Sequence, residues 1–282
     1  MSAPSRVREN LSPPSSRDRD ATRGRLETYL EGLSAYSYLP ARLQRLQSIA
    51  QEDVFGLTDK LTAIRHVLES TTLGNMVDLG GNSGYFSLSL VDVGIAARST
   101  VYDLNDRALL AGRAMAEALA IDDKVEFIKQ KVDLSFLRSM PFTDTVVCLN
   151  LLHHAGTTFD LEEVARAGWE DYMGRWLEEL RSKCRLAIIG LGFKNQKPRH
   201  WKVLPWQRPR RVFDLATRNG WSVLYDANVE DIHSLGVARS NGLQTRRRLH
   251  RSWVRHLATG CRTSTEAGAK EKRRKYHLYI LN

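Results

Sequence analysis

Apolar positions change their spacing at about residue 75. Before it, residues 22–72 carry apolar side chains at helical spacing, interrupted by Pro40, and predict two or three amphipathic helices. After it, short runs that are apolar throughout predict strands buried on both faces of a sheet. We expect seven such strands, at 75–80, 99–104, 124–134, from 144 onward, 184–192, 221–227 and 275–281.

Helical patterns separate most of these runs. They cover 84–94, 105–120, 161–183 and 209–220, and we expect 161–183 to be one long helix. Alternating strands and helices indicate an α/β fold with a doubly wound, mostly parallel seven-stranded sheet and an N-terminal helical extension. No helical pattern joins the last two strands, so we expect them to pair antiparallel.

The composition varies along the chain and predicts its division into domains. Residues 1–21 are rich in Ser, Pro and Arg and predict a disordered lead without the apolar region of a secretory signal. Residues 22–72 are expected to form a helical cap, and 73–282 the main domain. A basic insertion at about 236–274 lies between the last two predicted strands.

Two further features bear on the compartment. No apolar run reaches the roughly 18 residues of a membrane-spanning helix, so we expect no transmembrane segment. The three cysteines, Cys148, Cys184 and Cys261, form no CxxC pair. They indicate reduced thiols in a cytoplasmic protein.

The net charge of +10 is concentrated in two segments. Residues 239–275 hold twelve Lys/Arg against two Asp/Glu, which equals the whole excess. Residues 193–211 hold seven Lys/Arg and no acid, so the rest of the chain is mildly acidic. Localised positive charge predicts an anionic partner at a particular place.

The sequence DLGGNSG follows the first predicted strand and opens a helix. In open parallel sheets, ligands bind beyond the carboxyl ends of the strands, where the strand order reverses. A dinucleotide fingerprint starting at Gly80 needs glycine at two positions where the chain has Asn82 and Tyr85. A phosphate-binding G-x-x-x-x-G-K-[ST] loop is absent as well. A plain turn and a different nucleoside-binding loop remain as interpretations.

This loop resembles the D/E-x-G-x-G-x-G motif of class I S-adenosylmethionine-dependent methyltransferases, with Asp78, Gly80, Asn82 and Gly84 at the defined positions. Asn82 stands where glycine is usual, and asparagine tolerates the left-handed backbone conformation that such a turn needs. The resemblance implies that the loop, including Gly81, binds S-adenosyl-L-methionine.

Two aspartates further along agree with this resemblance. Asp103, followed by Leu104, ends the second strand, where a carboxylate is placed to accept the hydroxyl groups of a ribose. The alternative is a helix N-cap, a role for which Asn105 and Asp106 also qualify. Asp133 ends the third predicted strand, where members of this family often contact the adenine.

The run DTVVCLNLLHHAG resembles the fourth strand of this family and the loop after it. The resemblance places Asn150 and Leu151 beside the cofactor, and His153 and His154 at the mouth of the substrate site. Histidine suits a general base because its pKa lies near the operating pH. The alternative is that a histidine of this pair only packs or hydrogen-bonds a backbone carbonyl. No cluster has metal-ligand spacing, so no metal is expected.

The resemblance implies methyl transfer to an acceptor chosen by the helical cap and the loops after strands four and five. Residues 193–211 combine indole rings, which stack on sugars or bases, with cations that bind phosphates or carboxylates. We predict acceptor binding by Arg199, Trp201, Trp206 and Arg208. The alternative is a solvated loop whose tryptophans anchor it to the core.

Several acceptor classes are open. The run GFKNQKPRHWKVLP…RPRRVFDLATRNGWSVLYDANVEDI resembles bacterial methyltransferases of surface polysaccharides and lipo-oligosaccharides, particularly those that 2-O-methylate the fucose of nodulation factors. This implies a glycan hydroxyl as acceptor. RNA is the second choice, with the basic insertion binding phosphates in a salt-dependent way. A cofactor-binding scaffold without catalysis is the third. The segment RRRLHRSWVRH also suits peripheral contact with an anionic membrane, or a solvated hairpin.

Overall fold

The computed structural model describes residues 38–46, 57–68, 71–192, 208–228 and 276–282. The predicted lead and the basic insertion lie outside these residues. The helical cap is described in part, through a 3₁₀ helix at Ala41–Leu46 and the helix α1 at Leu57–Val67. The division into lead, cap and main domain therefore stays a prediction.

Seven strands form one sheet in the order β3-β2-β1-β4-β5-β7-β6. Strands β1 to β5 pair in parallel, and β7 pairs antiparallel with both β5 and β6. The predicted mostly parallel sheet and the antiparallel final pair are confirmed. The strands are β1 Asn75–Leu79, β2 Arg98–Asp103, β3 Val125–Lys129, β4 Thr143–Leu149, β5 Cys184–Gly192, β6 Val223–Asn228 and β7 Tyr276–Leu281.

Helices cover both faces of this sheet, as the uniformly apolar strands require. One buried cluster joins a sheet face to α1, α2 and α3, and a second joins the other face to α4, α5, α6 and α7. The helices after α1 are α2 Tyr85–Asp92, α3 Asp106–Leu119, α4 Leu134–Ser139, α5 Leu161–Ala167, α6 Trp169–Lys183 and α7 Arg208–Arg218. The doubly wound arrangement is thereby confirmed.

The single long helix predicted at 161–183 is wrong. Two helices, α5 and α6, meet at Gly168, whose φ of 82° and ψ of 159° lie outside the helical region. Glycine reaches this conformation without steric cost, so the chain turns there. Trp169, Tyr172 and Trp176 of α6 are consequently turned into the core.

The third strand is shorter than its predicted span of 124–134. Strand β3 ends at Lys129, and Gln130 donates a last backbone hydrogen bond to the carbonyl of Asp103. Asp133 then caps α4, since its side chain accepts a hydrogen bond from the backbone N–H of Phe136. A capping aspartate ends the extended conformation by starting a helix.

Strand order reverses at β1, which lies between β2 and β4. The chain winds outward from β1 to β3 on one side and from β4 toward β6 on the other. The carboxyl ends of β1, β2 and β4 therefore surround the position where ligands bind in this class of sheet.

Candidate functional site

The loop after β1 has the backbone conformation of a ligand-binding turn. Gly80, Asn82 and Gly84 all have positive φ, at 71°, 53° and 76°. The expectation that Asn82 supports a left-handed turn is confirmed, and its side-chain oxygen accepts a hydrogen bond from Ser83 N at 2.8 Å. The loop is closed by a hydrogen bond from Gly84 N to the carbonyl of Gly81 at 2.8 Å.

Asp103 joins this loop to the end of β2. One carboxylate oxygen, Oδ2, accepts a hydrogen bond from Asn82 N at 2.8 Å, and Oδ1 accepts one from Asn105 N at 2.8 Å. Asn105, and not Asp103, is the N-cap of α3, because its side chain accepts from Ala108 N. Each carboxylate oxygen can accept a further hydrogen bond. Asp103 thus has the chemistry to hold vicinal hydroxyl groups beside the loop.

Two glycines of the loop lie so close to their neighbours that a larger residue does not fit. A Cβ on Gly81 would lie 2.7 Å from Cγ of Asp78, and a Cβ on Gly84 would lie 2.7 Å from Cε1 of Phe127. The loop therefore packs directly on the sheet beneath it. The loop leads directly into α2, so the first N–H groups of that helix lie near the carboxyl end of β1, where an anionic or polar ligand group can bind.

Asp78 lies beneath the loop as a buried carboxyl group. Its Oδ2 accepts a hydrogen bond from Ser87 at 2.9 Å, and Ser87 accepts one from Ser99 at 2.9 Å. Burial raises the pKa of Asp78 to about 7, partly offset by the Ser87 hydrogen bond and reinforced by the charge of Asp103. Asp78 consequently supports the loop from the core side and titrates near neutral pH.

The residues after β4 form the opposite wall. Asn150 has a φ of 61° and donates its backbone N–H to the carbonyl of Gly190 at 3.0 Å. Its side-chain oxygen accepts a hydrogen bond at 3.0 Å from the ammonium of Lys60, on α1. Leu151 packs over Gly80, where a Cβ would lie 3.1 Å from the leucine Cδ1. The predicted residues of β1 and β4 therefore meet at the switch point.

His153 and His154 lie next along the chain, in a 3₁₀ helix at Leu152–His154. Their rings are 4.3 Å apart between centroids, with a tilt of 37°. Nδ1 of His153 accepts a long hydrogen bond from Gly192 N, at 3.4 Å, and burial lowers the pKa of His154. Burial therefore favours a neutral imidazole at His154.

The loop that follows this histidine pair is held by contacts from other elements. The carbonyl of His154 accepts from the N–H groups of Thr157 and Thr158. Asp160, at a φ of 50°, accepts from Leu134 N at 2.9 Å and from the Tyr172 hydroxyl. Trp176 Nε1 donates to that same hydroxyl. This chain fixes the loop against α4 and α6.

The remaining predicted residues are less closely joined to the site. Leu104 is 57% exposed, directly after Asp103, so it presents an apolar surface to solvent beside the loop. Asp133 is the helix cap described above. Burial, the largest single effect, raises its pKa, but hydrogen bonds from the Phe136 N–H and from Lys131, together with the charge of Lys131, outweigh it, so the pKa of Asp133 is lowered. Arg208 begins α7. Arg199, Trp201 and Trp206 lie outside the described residues.

Sequence reasoning missed three groups of side chains at this edge. Lys60 falls on the buried stripe of α1, at helical spacing from Leu57 and Ile64. A charged residue at a position that periodicity assigns to the core was an available signal. Asp160 and Tyr172 gave no such signal, and neither did the side-chain hydrogen bond between His277 of β7 and Asp226 of β6.

Within the described ranges, no group of three or more His, Cys, Asp or Glu side chains is arranged to hold a metal ion. Among the same residues, no helix has the length and apolar character needed to cross a membrane.

Comparisons with known proteins give structural likenesses only. No protein family's model matches the chain, and no curated protein sequence does. A SAM-dependent methyltransferase from Geobacter sulfurreducens, solved with S-adenosyl-L-homocysteine, is 14% identical, with 79% of this chain and 90% of that chain covered and a TM-score of 0.46. WbdD is 18% identical, with 90% and 46% covered and a TM-score of 0.47. The [4+2]-cyclase SpnF is 11% identical, with 96% and 97% covered and a TM-score of 0.48. At such identities and scores, function has to be argued from the site itself.

Proposed function

We propose that this chain is an S-adenosylmethionine-dependent O-methyltransferase. The proposed acceptor is a saccharide hydroxyl of a glycan or lipo-oligosaccharide, with the 2-hydroxyl of a nodulation-factor fucose as the specific candidate. The observation that supports this proposal most strongly is the hydrogen bond from Asn82 N to Asp103 Oδ2. It brings a glycine-rich loop with left-handed backbone conformations and a strand-end carboxylate together at the switch point.

The loop and its surroundings fit the proposed cofactor. A nucleoside needs an acceptor for its ribose hydroxyls and a tight turn whose backbone it can approach closely; Asp103 offers the first, and the 80–84 loop, with three residues at positive φ, offers the second. Leu104 offers an exposed apolar side chain next to that carboxylate, suited to the face of the adenine. When bound, S-adenosyl-L-methionine supplies a methyl group activated by its sulfonium. The contribution of the chain is then mainly alignment of donor and acceptor.

The proposed general base is one of the two histidines after β4. Because Nδ1 of His153 accepts from Gly192 N, a neutral His153 carries its proton on Nε2. His154, whose pKa burial lowers, is neutral at physiological pH and able to take a hydroxyl proton. We therefore expect His154 to contribute more than His153, and activity to fall as the pH drops through the lowered pKa of His154.

Charge pairing on α7 favours a glycan over RNA. Arg211 pairs with Glu170 at 2.7 Å, and Arg210 pairs with Asp214 at 3.1 Å. These two cations are thus partly neutralised within the protein, which suits an uncharged sugar better than a chain of phosphates. The competing RNA interpretation rests on the twelve basic residues of 239–275.

The acceptor class is tested by transfer of labelled methyl groups. The acceptors are a fucosylated lipo-chitooligosaccharide, the same molecule without fucose, and total RNA, each at low and high salt. We expect label in the fucosylated acceptor at both salt concentrations. Label that enters only RNA, and only at low salt, would establish the alternative.

The role of the histidines is tested by His153→Ala and His154→Ala in the same assay. Loss of a general base typically lowers turnover by about 10²–10⁴-fold, and we expect this for His154→Ala. Affinity for S-adenosyl-L-homocysteine should stay unchanged in both variants. Normal turnover in both folded variants would show that neither histidine acts as a base.

A further inference from the structure

We infer that Asp160 is a positioning residue that acts through His154, and that its carboxylate fixes the histidine loop relative to the glycine loop 80–84. This inference rests on the proposed function, in which His154 takes the proton of the acceptor hydroxyl. It starts from the backbone of Asp160, whose φ of 50° and ψ of 38° are left-handed and uncommon outside glycine. Such a conformation persists where surrounding contacts hold it, so the contacts of Asp160 are informative.

Two hydrogen bonds meet on one oxygen of the Asp160 carboxylate. Oδ2 accepts from the backbone N–H of Leu134, the first residue of α4, at 2.9 Å, and from the hydroxyl of Tyr172 on α6. Tyr172 is fully buried, and burial together with the Asp160 carboxylate raises the pKa of Tyr172, so the hydroxyl keeps its proton and donates. Trp176 Nε1 donates to the same hydroxyl. Asp160 is thus held by two helices that are distant from each other in the sequence.

The helix α4 in turn contacts the strand that holds the glycine loop. The rings of Phe136 and Tyr102 meet edge to face, 4.9 Å apart between centroids. The carbonyl of Tyr102 accepts a hydrogen bond from Gly80 N at 2.8 Å. Tyr102 therefore touches both the glycine loop and α4, and Asp160 extends these contacts to the loop after β4.

The segment from His154 to Asp160 is short and internally hydrogen-bonded. The carbonyl of His154 accepts from Thr157 N at 3.0 Å. Gly156 N donates to the carbonyl of Phe159, the residue before Asp160, at 2.8 Å. Because these bonds close the segment, release of Asp160 displaces His154 as well. A general base acts only within hydrogen-bond reach of the proton, so a displacement of about 1 Å lowers turnover without disturbing the nucleoside.

Two substitutions separate the carboxylate from the backbone conformation. Asp160→Gly removes the carboxylate, and glycine adopts the left-handed conformation freely. Asp160→Asn keeps a side-chain oxygen that accepts hydrogen bonds, and asparagine also tolerates this conformation. Ala120→Gly is the matched control, because Ala120 is exposed at a similar φ of 57°, at the end of α3 and outside the site. Melting curves establish that each variant is folded.

Methyl transfer is measured in a double-mutant cycle with His154→Ala. We expect Asp160→Gly to lower kcat by about 10–100-fold and to change the affinity for S-adenosyl-L-homocysteine by less than about twofold. In the His154→Ala background, the same substitution should lower kcat by less than about twofold, because the residue through which Asp160 acts is gone. Asp160→Asn should recover most of the loss, and Ala120→Gly should cause none. Equal losses in both backgrounds would overturn the inference.

NMR titration of the histidine rings tests the same claim without an acceptor. Burial lowers the pKa of His154 in the wild type, and release of the loop admits water. Asp160→Gly should therefore raise the pKa of His154 toward its ordinary value of 6.5, and the fall of kcat in acid should move to higher pH. His153, whose ring lies 4.3 Å from that of His154 between centroids, is present in every variant compared.

An unchanged pKa of His154 in folded Asp160→Gly would overturn the inference, whatever the acceptor. The proposed function fails separately if the wild type binds no S-adenosyl-L-homocysteine or transfers no methyl group, and the catalytic role of Asp160 fails with it.

Discussion

The two walls of the switch point are built in different ways. The side that we propose binds the methyl donor, loop 80–84 with Asp103, is called the donor side and is held by hydrogen bonds from backbone N–H groups and by close packing on β1, β2 and β3. The side that we propose binds the methyl acceptor, residues 153–160, is called the acceptor side and depends on distant contacts from Tyr172 and Gly192. The donor side is a local structure, whereas the acceptor side is assembled by the whole fold.

This difference has a physical consequence. Glycines at positive φ and a strand-end carboxylate act through geometry that a short stretch of chain determines. A loop fixed by side chains from other helices keeps its shape only while those helices stay packed. We therefore expect changes on the donor side to alter cofactor binding, and changes on the acceptor side to alter turnover.

The largest expected effect concerns Asp78, the buried carboxyl beneath the donor side. Its pKa of about 7 in the folded protein exceeds its ordinary value of 3.8, so the folded state holds a proton that the unfolded state releases. Stability from this group is complete below about pH 4 and is lost as the pH rises toward 7. Asp78→Asn should remove this pH dependence. The free energy of unfolding of the variant, relative to that of the wild type, should therefore rise by about 4 kcal/mol between about pH 4 and pH 8. Denaturant unfolding across this range measures the difference.

Asp144→Asn provides a control of opposite sign. Asn75 N–H and Arg185 lower the pKa of Asp144, so its contribution is present above its unfolded pKa and disappears as the pH falls. This variant should be the less stable one at neutral pH and equal to the wild type in acid. A pH-independent difference between Asp78→Asn and the wild type would refute the account of the buried carboxyl.

The next effect concerns the close packing of the donor-side loop. Gly84→Ala forces a Cβ to within 2.7 Å of Phe127 at a φ of 76°. We expect a loss of about 1–3 kcal/mol from overpacking beyond the cost of the left-handed conformation itself. Affinity for S-adenosyl-L-homocysteine should also fall, because the loop has to move. Chemical denaturation measures the loss of stability, and calorimetry measures the loss of affinity.

Gly94→Ala is the matched control for this change. Gly94 has a similar φ of 73°, yet a Cβ there meets nothing within 4 Å. It carries only the cost of the left-handed backbone, about 1–2 kcal/mol, and should leave ligand affinity unchanged. If the two glycine variants lost similar amounts of stability and affinity, the Phe127 side chain would be able to move aside and the loop would not be tightly packed.

The smallest effect is expected on the acceptor side. Tyr172→Phe removes the hydroxyl that donates to Asp160 and accepts from Trp176, leaving a buried indole N–H without this acceptor. We expect a stability loss of about 1–2 kcal/mol and a severalfold fall in kcat. Cofactor affinity should be unchanged. Unfolding curves and steady-state kinetics separate these quantities.

Tyr38→Phe removes a hydroxyl from a ring that contacts Tyr85 at 5.3 Å between centroids, and it serves as the comparison for hydroxyl loss alone. If Tyr172→Phe weakened cofactor binding while leaving kcat intact, the division into donor and acceptor sides would be wrong.

The same division explains what the sequence could predict. Asn82 and Asp103 were placed correctly in the loop and at the strand end, because their positions follow from spacing along one β-α-β segment. The helix break at Gly168 and the cap at Asp133 were missed. A single glycine is compatible with a continuous helix or with a break, and a single aspartate is compatible with a strand end or with a helix cap. Asp160, Tyr172 and Trp176 could not be paired from the sequence, as their contacts depend on how α4 and α6 pack.

The central claim is that Asp103 and the glycine loop bind a nucleoside, and calorimetry of Asp103→Ala with S-adenosyl-L-homocysteine tests it most directly. Asp106→Ala is the control, because Asp106 is an exposed carboxylate three residues away that pairs with Lys129. We predict that Asp103→Ala weakens binding by about tenfold or more and that Asp106→Ala does not. Unchanged affinity in a folded Asp103→Ala variant would contradict the claim.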